Sequence, residues 1–199
     1  MPAHARMAAL MLNPIVAATL RILLFRAGPQ DFPHAPQLVA TMPALAASAY
    51  FAVFVLTIPP GAAAALALVS VGALALVTHS LLSARRLVNR FQQTFHALLA
   101  TGLVLTLASI PPAVALAPVL KRVAANPELL QQPGAVQIPA AASLLIIVLN
   151  LWNFAVYAHI FRHAADTRPA VGVLIALFVA LSVLLLLQVA GQFLLPPVR

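Results

Sequence analysis

Long apolar segments, separated by short polar stretches, make up most of the chain. A helix needs roughly 20 apolar residues to cross a bilayer, and five segments reach about that length. Their apolar runs are continuous rather than alternating, which favours helices over strands. The pattern therefore predicts an all-α bundle with five transmembrane helices. The predicted spans are Leu38–Ile58, Gly61–Leu82, Thr94–Leu116, Pro139–Phe161 and Ala170–Leu195.

Proline pairs lie at or near the ends of three predicted spans, at Pro59-Pro60, Pro111-Pro112 and Pro196-Pro197. A proline pair removes two backbone donors, so each pair is interpreted as a helix stop or bend. An internal repeat is the alternative, although the unequal spacing argues against it. Between the third and fourth spans we expect a loop over residues 118–137, with a short helix that begins near Pro127 and is capped by the preceding asparagine.

Residues 1–37 are predicted to form a separate cytoplasmic segment, ahead of a five-span domain at residues 38–199. Asn13-Pro14 is a favourable start for a helix within this segment. Because that helix is short and carries Arg21 and Arg26, we expect it to lie in the headgroup region. A sixth span is the alternative.

The composition indicates a membrane-embedded protein. Hydrophobic residues make up 63% of the 199 residues and charged residues 7%, against about 25% charged residues in soluble chains. So few charges cannot solvate a folded surface of this size, which excludes an ordinary soluble enzyme. The net charge of +8 is dispersed between apolar segments, so no nucleic-acid partner is predicted. Cysteine is absent, which excludes disulfides and thiolate chemistry.

Positive charge is shared unequally between the predicted loops. With the N-terminus in the cytoplasm, eight Lys/Arg residues lie on the cytoplasmic side and only Lys121, Arg122 and Arg199 on the other. Lys and Arg in short loops favour the cytoplasmic side. The sequence therefore predicts an N-in, C-out protein of a bacterial cytoplasmic membrane.

The densest polar set lies in the fourth span. Asn150, Asn153 and Tyr157 are spaced i, i+3, i+7 and share one helical face. Amides in hydrocarbon need partners, so this face is expected to point into the bundle. The candidate partners are Thr101, Thr106, Ser109 and Gln188. Polar contacts between helices are the principal interpretation, and a polar cavity that holds a ligand is the alternative.

Two further groups of side chains were candidates for binding. Arg85, Arg86 and Arg90, between the second and third spans, are predicted to dock on anionic lipid or an acidic partner at the cytoplasmic face. Several histidines lie near the cytoplasmic ends of spans, but only His159 and His163 share an i, i+4 spacing. No metal or other cofactor is therefore predicted.

Catalytic chemistry has few candidate residues in the predicted spans. Ionisable residues within a membrane usually mark function, yet Asp31, Glu128 and Asp166 all fall in predicted loops. This argues against an intramembrane aspartyl protease and against a carboxylate-coupled carrier. The seven glycines are scattered singly, so no phosphate-binding loop is indicated. We expect the protein not to be an enzyme.

These observations predict a partner-binding or scaffolding subunit of a membrane complex, in contact with lipid and with a membrane-protein partner or a second copy. The alternative is a small permease or channel subunit with a polar path along the fourth span. A path requires the polar side chains to converge on a cavity. Interhelical contacts would instead leave them paired and dry.

The order of elements resembles a known family. A short N-terminal helix with the sequence LRILLFRAGP, a proline-containing segment and five closely spaced spans are similar to the Yip1-like superfamily and its bacterial members. Eukaryotic members carry a DLYGP-type motif and are implicated in vesicle trafficking through small GTPases. This chain has Asp31-Phe32-Pro33 instead, so that role is not carried over. The resemblance implies a non-catalytic membrane protein that acts through partners or lipid organisation.

Overall fold

The computed structural model describes residues 14–33, 36–132 and 134–194, and within these ranges the chain forms helices joined by short turns. The all-α class predicted from the sequence is confirmed. Three short 3₁₀ helices lie at Pro29–Asp31, Val88–Arg90 and Pro127–Gln131. The six α-helices are α1 (Pro14–Leu23), α2 (Leu38–Phe54), α3 (Pro60–Ala84), α4 (Phe91–Ala125), α5 (Ala140–Ala164) and α6 (Pro169–Leu194).

Four helices, α3 to α6, are long and apolar enough to cross a membrane. Helix α2 is also apolar but has 17 residues, about 26 Å at 1.5 Å per residue, against a hydrocarbon core of roughly 30 Å. A hydrogen-bonded turn extends it, with the Ile58 N–H donating to the Phe54 carbonyl at 3.1 Å. The structure thus provides four helices of spanning length and a shorter fifth.

The five long helices form a closed ring. Going round it, α2 contacts α3, α3 contacts α6, α6 contacts α5, α5 contacts α4, and α4 contacts α2. Short connections make chain neighbours antiparallel, so the end of α3, the start of α4, the end of α5 and the start of α6 share one end of the bundle. We call this the basic end, because Arg85, Arg86, Arg90, Arg162 and Arg168 lie there.

Helix α4 is longer than the sequence pattern predicts. It runs for 35 residues and contains Pro111, Pro112 and Pro118, so the second proline pair does not stop it. Proline has a helix-compatible φ and removes only its own donor, and membrane helices tolerate that loss. The prediction of a loop beginning at residue 118 is therefore wrong, because the helix continues to Ala125.

The other proline-pair predictions have separate outcomes. Pro60 is the first residue of α3, which confirms a helix boundary there. Pro196-Pro197 lies outside the described residues. A short helix does begin at Pro127, but Asn126 makes no side-chain capping bond to it.

Two helix ends at the basic end turn through a left-handed residue that is not glycine. Arg86 has φ 59° and Asp166 has φ 49°. After each, an N–H closes a wide turn: Leu87 donates to the Leu82 carbonyl at 2.8 Å, and Thr167 to the Arg162 carbonyl at 3.0 Å. Such turns satisfy carbonyls that a helix end leaves without partners. They fix the directions of the α3–α4 and α5–α6 connections.

The N-terminal segment packs against α5. The Trp152 indole N–H donates to the Leu23 carbonyl at 3.2 Å, and His159 Nε2 bonds the Ala27 carbonyl at 2.9 Å. The Phe25 ring meets the Trp152 ring at a centroid distance of 6.1 Å. Ile22 is fully buried in the same apolar core as the ring helices. Arg21 and the start of α1 remain exposed.

Candidate ligand cavity

A cavity of about 510 Å³ lies inside the helix ring, and all five long helices contribute to its wall. We call it the central cavity. Most of the wall is apolar, and among the described residues that line it none is charged. The polar side chains that face it are Tyr50, Ser70, Thr106, Ser109, Asn150, Asn153 and Tyr157. The three polar residues that the sequence placed on one face of the fourth span therefore line one space.

Asn153 is the most informative of these residues. It lies near the middle of α5, and its Oδ1 is buried without a hydrogen-bond partner. Rotating the amide by half a turn would only exchange a buried acceptor for a buried donor. A polar atom left in this state costs about 1–3 kcal/mol. Asn153 therefore leaves a polar atom unsatisfied beside the cavity that it lines.

The other polar groups direct their donors away from the cavity. The Asn150 amide donates to the Ile146 carbonyl of its own helix at 2.8 Å. The Ser70 hydroxyl donates to the Leu66 carbonyl at 2.7 Å, as does Ser109 to Thr106 at 2.7 Å. Oxygen lone pairs therefore remain for the cavity.

Two tyrosine hydroxyls meet at the basic-end side of the cavity. Tyr50 of α2 and Tyr157 of α5 are hydrogen-bond partners, and the Tyr157 hydroxyl also reaches the Leu98 carbonyl of α4 at 3.5 Å. Gly102 makes room for both. A Cβ at that position would lie 3.0 Å from the Tyr157 oxygen and 3.5 Å from that of Tyr50.

Beyond the tyrosines, packed side chains close the ring toward the basic end. Leu98, Val156 and Ile160 are each 0% exposed. Asn150, in contrast, is an exposed residue that also lines the cavity. The central cavity therefore lies on the side of these packed residues away from the basic end, and it is not fully enclosed by the helices.

The residues predicted as hydrogen-bond partners of the α5 polar face do not all lie beside it. Gln188 lies on an exposed part of α6 and does not line the cavity, whereas Leu187 does. Thr101 is buried and donates to the Ala97 carbonyl of its own helix at 2.8 Å. Thr106 and Ser109 share the cavity wall with the two asparagines. Of the predicted polar face, only Tyr157 makes a described hydrogen bond to a carbonyl of a neighbouring helix.

The three arginines predicted to dock at the membrane face divide into two kinds. Arg85 and Arg86 are exposed. Arg90 is partly buried, and its Nη1 donates to the Ala164 carbonyl at 3.1 Å and to the His163 carbonyl at 3.4 Å. These carbonyls end α5, where a cation is electrostatically favourable. Arg90 therefore caps a helix.

His79 and His163 contact groups that lie close to them along the chain. His163 Nδ1 bonds the His159 carbonyl at 2.9 Å, and the two rings are 4.3 Å apart. The His79 ring packs edge-on against Phe91 at 5.2 Å. Within residues 14–33, 36–132 and 134–194, no three or more His or acidic residues form a group that could hold a metal ion.

Sequence reasoning did not identify Tyr50 or Gly102. Neither has a distinctive neighbour along the chain, and the two meet only because α2 and α4 are adjacent in the ring. The spacing of polar residues identified the side chains that α5 contributes to the cavity, because the residues that share one face of a single helix can be worked out from the sequence. The contributions of the other helices depend on how the ring closes.

Comparison with known proteins gives no family for this chain. No protein-family model, curated protein or solved structure shows a significant match. The Yip1-like resemblance therefore stays a prediction. Function has to be argued from the geometry of the cavity.

Proposed function

We propose that this protein is a non-enzymatic, multi-pass membrane protein that binds a small uncharged molecule in its central cavity, as a permease or a transport subunit. The observation that carries the proposal is Asn153, which lines a space of about 510 Å³ inside the ring and has a buried Oδ1 without a hydrogen-bond partner. Helices that serve only to pack together would leave this face paired and dry. The alternative drawn from the sequence, a polar path along this helix, is therefore favoured over interhelical contact alone.

The wall defines the chemistry of the ligand. Cavities of about 300–1,000 Å³ with mainly apolar walls and a few polar groups are typical of small-molecule sites. An ion would be poorly solvated here, since none of the described lining residues is charged and a bare charge in such surroundings is very costly. The best fit is a partly apolar molecule that carries a hydroxyl or amine donor for the free lone pairs.

The helix ring and the positions of its arginines support a proposal for the membrane topology. We infer that α2, with the turn that extends it, completes a set of five spans with the four longer helices. Arginines cluster at the basic end, so that end is assigned to the cytoplasm of a bacterial-type inner membrane by the positive-inside rule. Helix α1 then lies on the cytoplasmic side with its exposed arginine toward the headgroups. The central cavity faces the opposite side.

A scaffolding role remains a second proposal, because Arg85 and Arg86 are exposed and free to meet an acidic partner or anionic lipid. Purification in mild detergent followed by mass spectrometry tests it. A stoichiometric membrane-protein partner or a second copy is the expected result. Repeated recovery of a lone monomer would count against this role.

Binding of a neutral probe tests the cavity proposal. 1-Aminoanthracene is uncharged, largely apolar and carries an amine donor, so we expect saturable binding to the purified protein in nanodiscs, measured by fluorescence. Asn153→Leu replaces the amide by an apolar side chain, and we expect at least a tenfold loss of affinity from about 1.4 kcal/mol.

Gln188→Leu is the matched control, since it makes the same kind of change on an exposed face of α6. It should bind like the natural chain. Anthracene-9-carboxylate, a charged analogue, should bind far more weakly. Equal binding by both variants, or equal binding of the two probes, would overturn the proposal.

A further inference from the structure

A second pocket, separate from the central cavity, lies at the basic end. It has a volume of about 410 Å³ and shares no lining residue with the cavity. Three segments build it: the turn at Pro29 and Gln30, the start of α4, and the end of α5 with the turn that follows. We call it the basic pocket.

Several hydrogen-bond donors on its side chains have no described partner. The Thr167 hydroxyl oxygen is buried there without a partner. Arg162 is exposed and enters no described side-chain hydrogen bond. Arg90 is held in place through Nη1 by two carbonyls, and a guanidinium has five N–H donors in all.

The charge balance favours an anion. Two arginines line the pocket and Asp166 is the acidic residue among its described lining. A phosphate group has several acceptor oxygens. They match the donors of two arginines, one of which is held by other bonds, and of a nearby hydroxyl. Basic pockets between transmembrane helices at the cytoplasmic face are also where anionic headgroups bind.

We propose that the basic pocket binds a phosphate group, with Arg90 and Arg162 as its charged partners and the Thr167 hydroxyl as a further donor. The site is independent of the neutral ligand in the central cavity. Its phosphate is carried by an anionic phospholipid or is free in the cytoplasm. The shared chemistry is a tetrahedral oxyanion beside the two arginines, whose charges outweigh the unfavourable carbonyl end of α5.

The test uses purified full-length protein in detergent and two separate probes, short-chain phosphatidylglycerol and inorganic phosphate, with binding measured by calorimetry. We expect saturable binding of at least one probe. Arg162→Gln removes one charge while keeping the Cβ against Gly172, and we expect affinity to fall about fivefold, since one basic residue near an anionic surface is worth about 1 kcal/mol.

Two variants in the turn that follows α5 provide further tests of the site. Asp166→Asn keeps a residue that tolerates a positive φ and removes the opposing charge, so affinity should rise about fivefold. Thr167→Val keeps the shape and removes the hydroxyl, so affinity should fall. A Thr167 hydroxyl with no ligand role would instead leave binding unchanged.

Arg168→Gln is the control, because Arg168 lies at the same end, is exposed and does not line the pocket. It should bind both probes like the natural chain. Binding of phosphatidylglycerol alone would identify a lipid headgroup site, and binding of both probes a site for the phosphate group itself. Absence of saturable binding of either probe, or the same affinity in Arg162→Gln and Arg168→Gln, would overturn the proposal.

Discussion

At the residue scale, the positions that shape the cavity are small as well as polar. Gly102 lies against two tyrosine hydroxyls that join α2, α4 and α5. A side chain there would push on the Tyr157 oxygen at 3.0 Å. Gly102 therefore leaves the space that the two hydroxyls occupy. A larger residue at this position would have to displace them.

We expect Gly102→Ala to disturb this pair through the Tyr157 hydroxyl. The measurement is a double-mutant cycle on thermal stability in detergent, with and without Tyr157→Phe. Gly102→Ala should be more destabilising in the natural background than in the Phe background by about 0.5–1 kcal/mol, because removing the hydroxyl removes the contact. Equal effects in both backgrounds would mean that the glycine does not serve the tyrosines.

At the element scale, α5 and α6 approach closely through another glycine. A Cβ on Gly172 would lie 2.7 Å from the Arg162 Cβ and 2.8 Å from the Ala158 carbonyl oxygen. Neither atom belongs to the flexible end of a side chain. The contact therefore fixes the spacing of these two helices near the basic end.

Gly172→Ala is expected to separate the helices and to destabilise the bundle by about 1–3 kcal/mol. In a chain of this size that lowers the Tm by roughly 2–4 °C per kcal/mol. The matched control is Gly72→Ala in α3, where an added Cβ meets nothing within 4 Å. Thermal unfolding should separate the two variants, and an unchanged Tm in Gly172→Ala would contradict the close approach.

Helices were more predictable than their ends. The second predicted span, Gly61–Leu82, nearly coincides with α3, because long continuous apolar runs have one satisfactory structure in lipid. The extension of α4 to Ala125 was missed because three prolines signal a stop locally, while a helix tolerates them where its other hydrogen bonds hold. The face of α5 was predictable from spacing, but the unpartnered Oδ1 of Asn153 depends on the arrangement of five helices.

At the scale of the whole molecule, charge is distributed so that one end of the ring is strongly basic. In the described residues, Lys121 and Arg122 lie in the last turns of α4, at the other end of the bundle. Helix α4 runs from one of these ends to the other. The orientation of the bundle is therefore testable at two exposed positions on either side of that helix.

Because the chain has no cysteine, introduced thiols can be labelled without background. We expect an impermeant maleimide applied to intact cells to label Glu128→Cys and to leave Arg85→Cys unlabelled until the cells are lysed. The reverse pattern would invert the assigned orientation. Labelling of both positions from the same side would mean that α4 does not cross the membrane.

The tie between the N-terminal segment and α5 has a mechanical consequence. Leu23 and Ala27 are held by the side chains of Trp152 and His159, and the latter two residues lie on either side of Asn153 along one helix. A tilt of that helix would therefore carry the segment with it. Anything that restrains the first part of the described chain would also restrain the helix that carries Asn153.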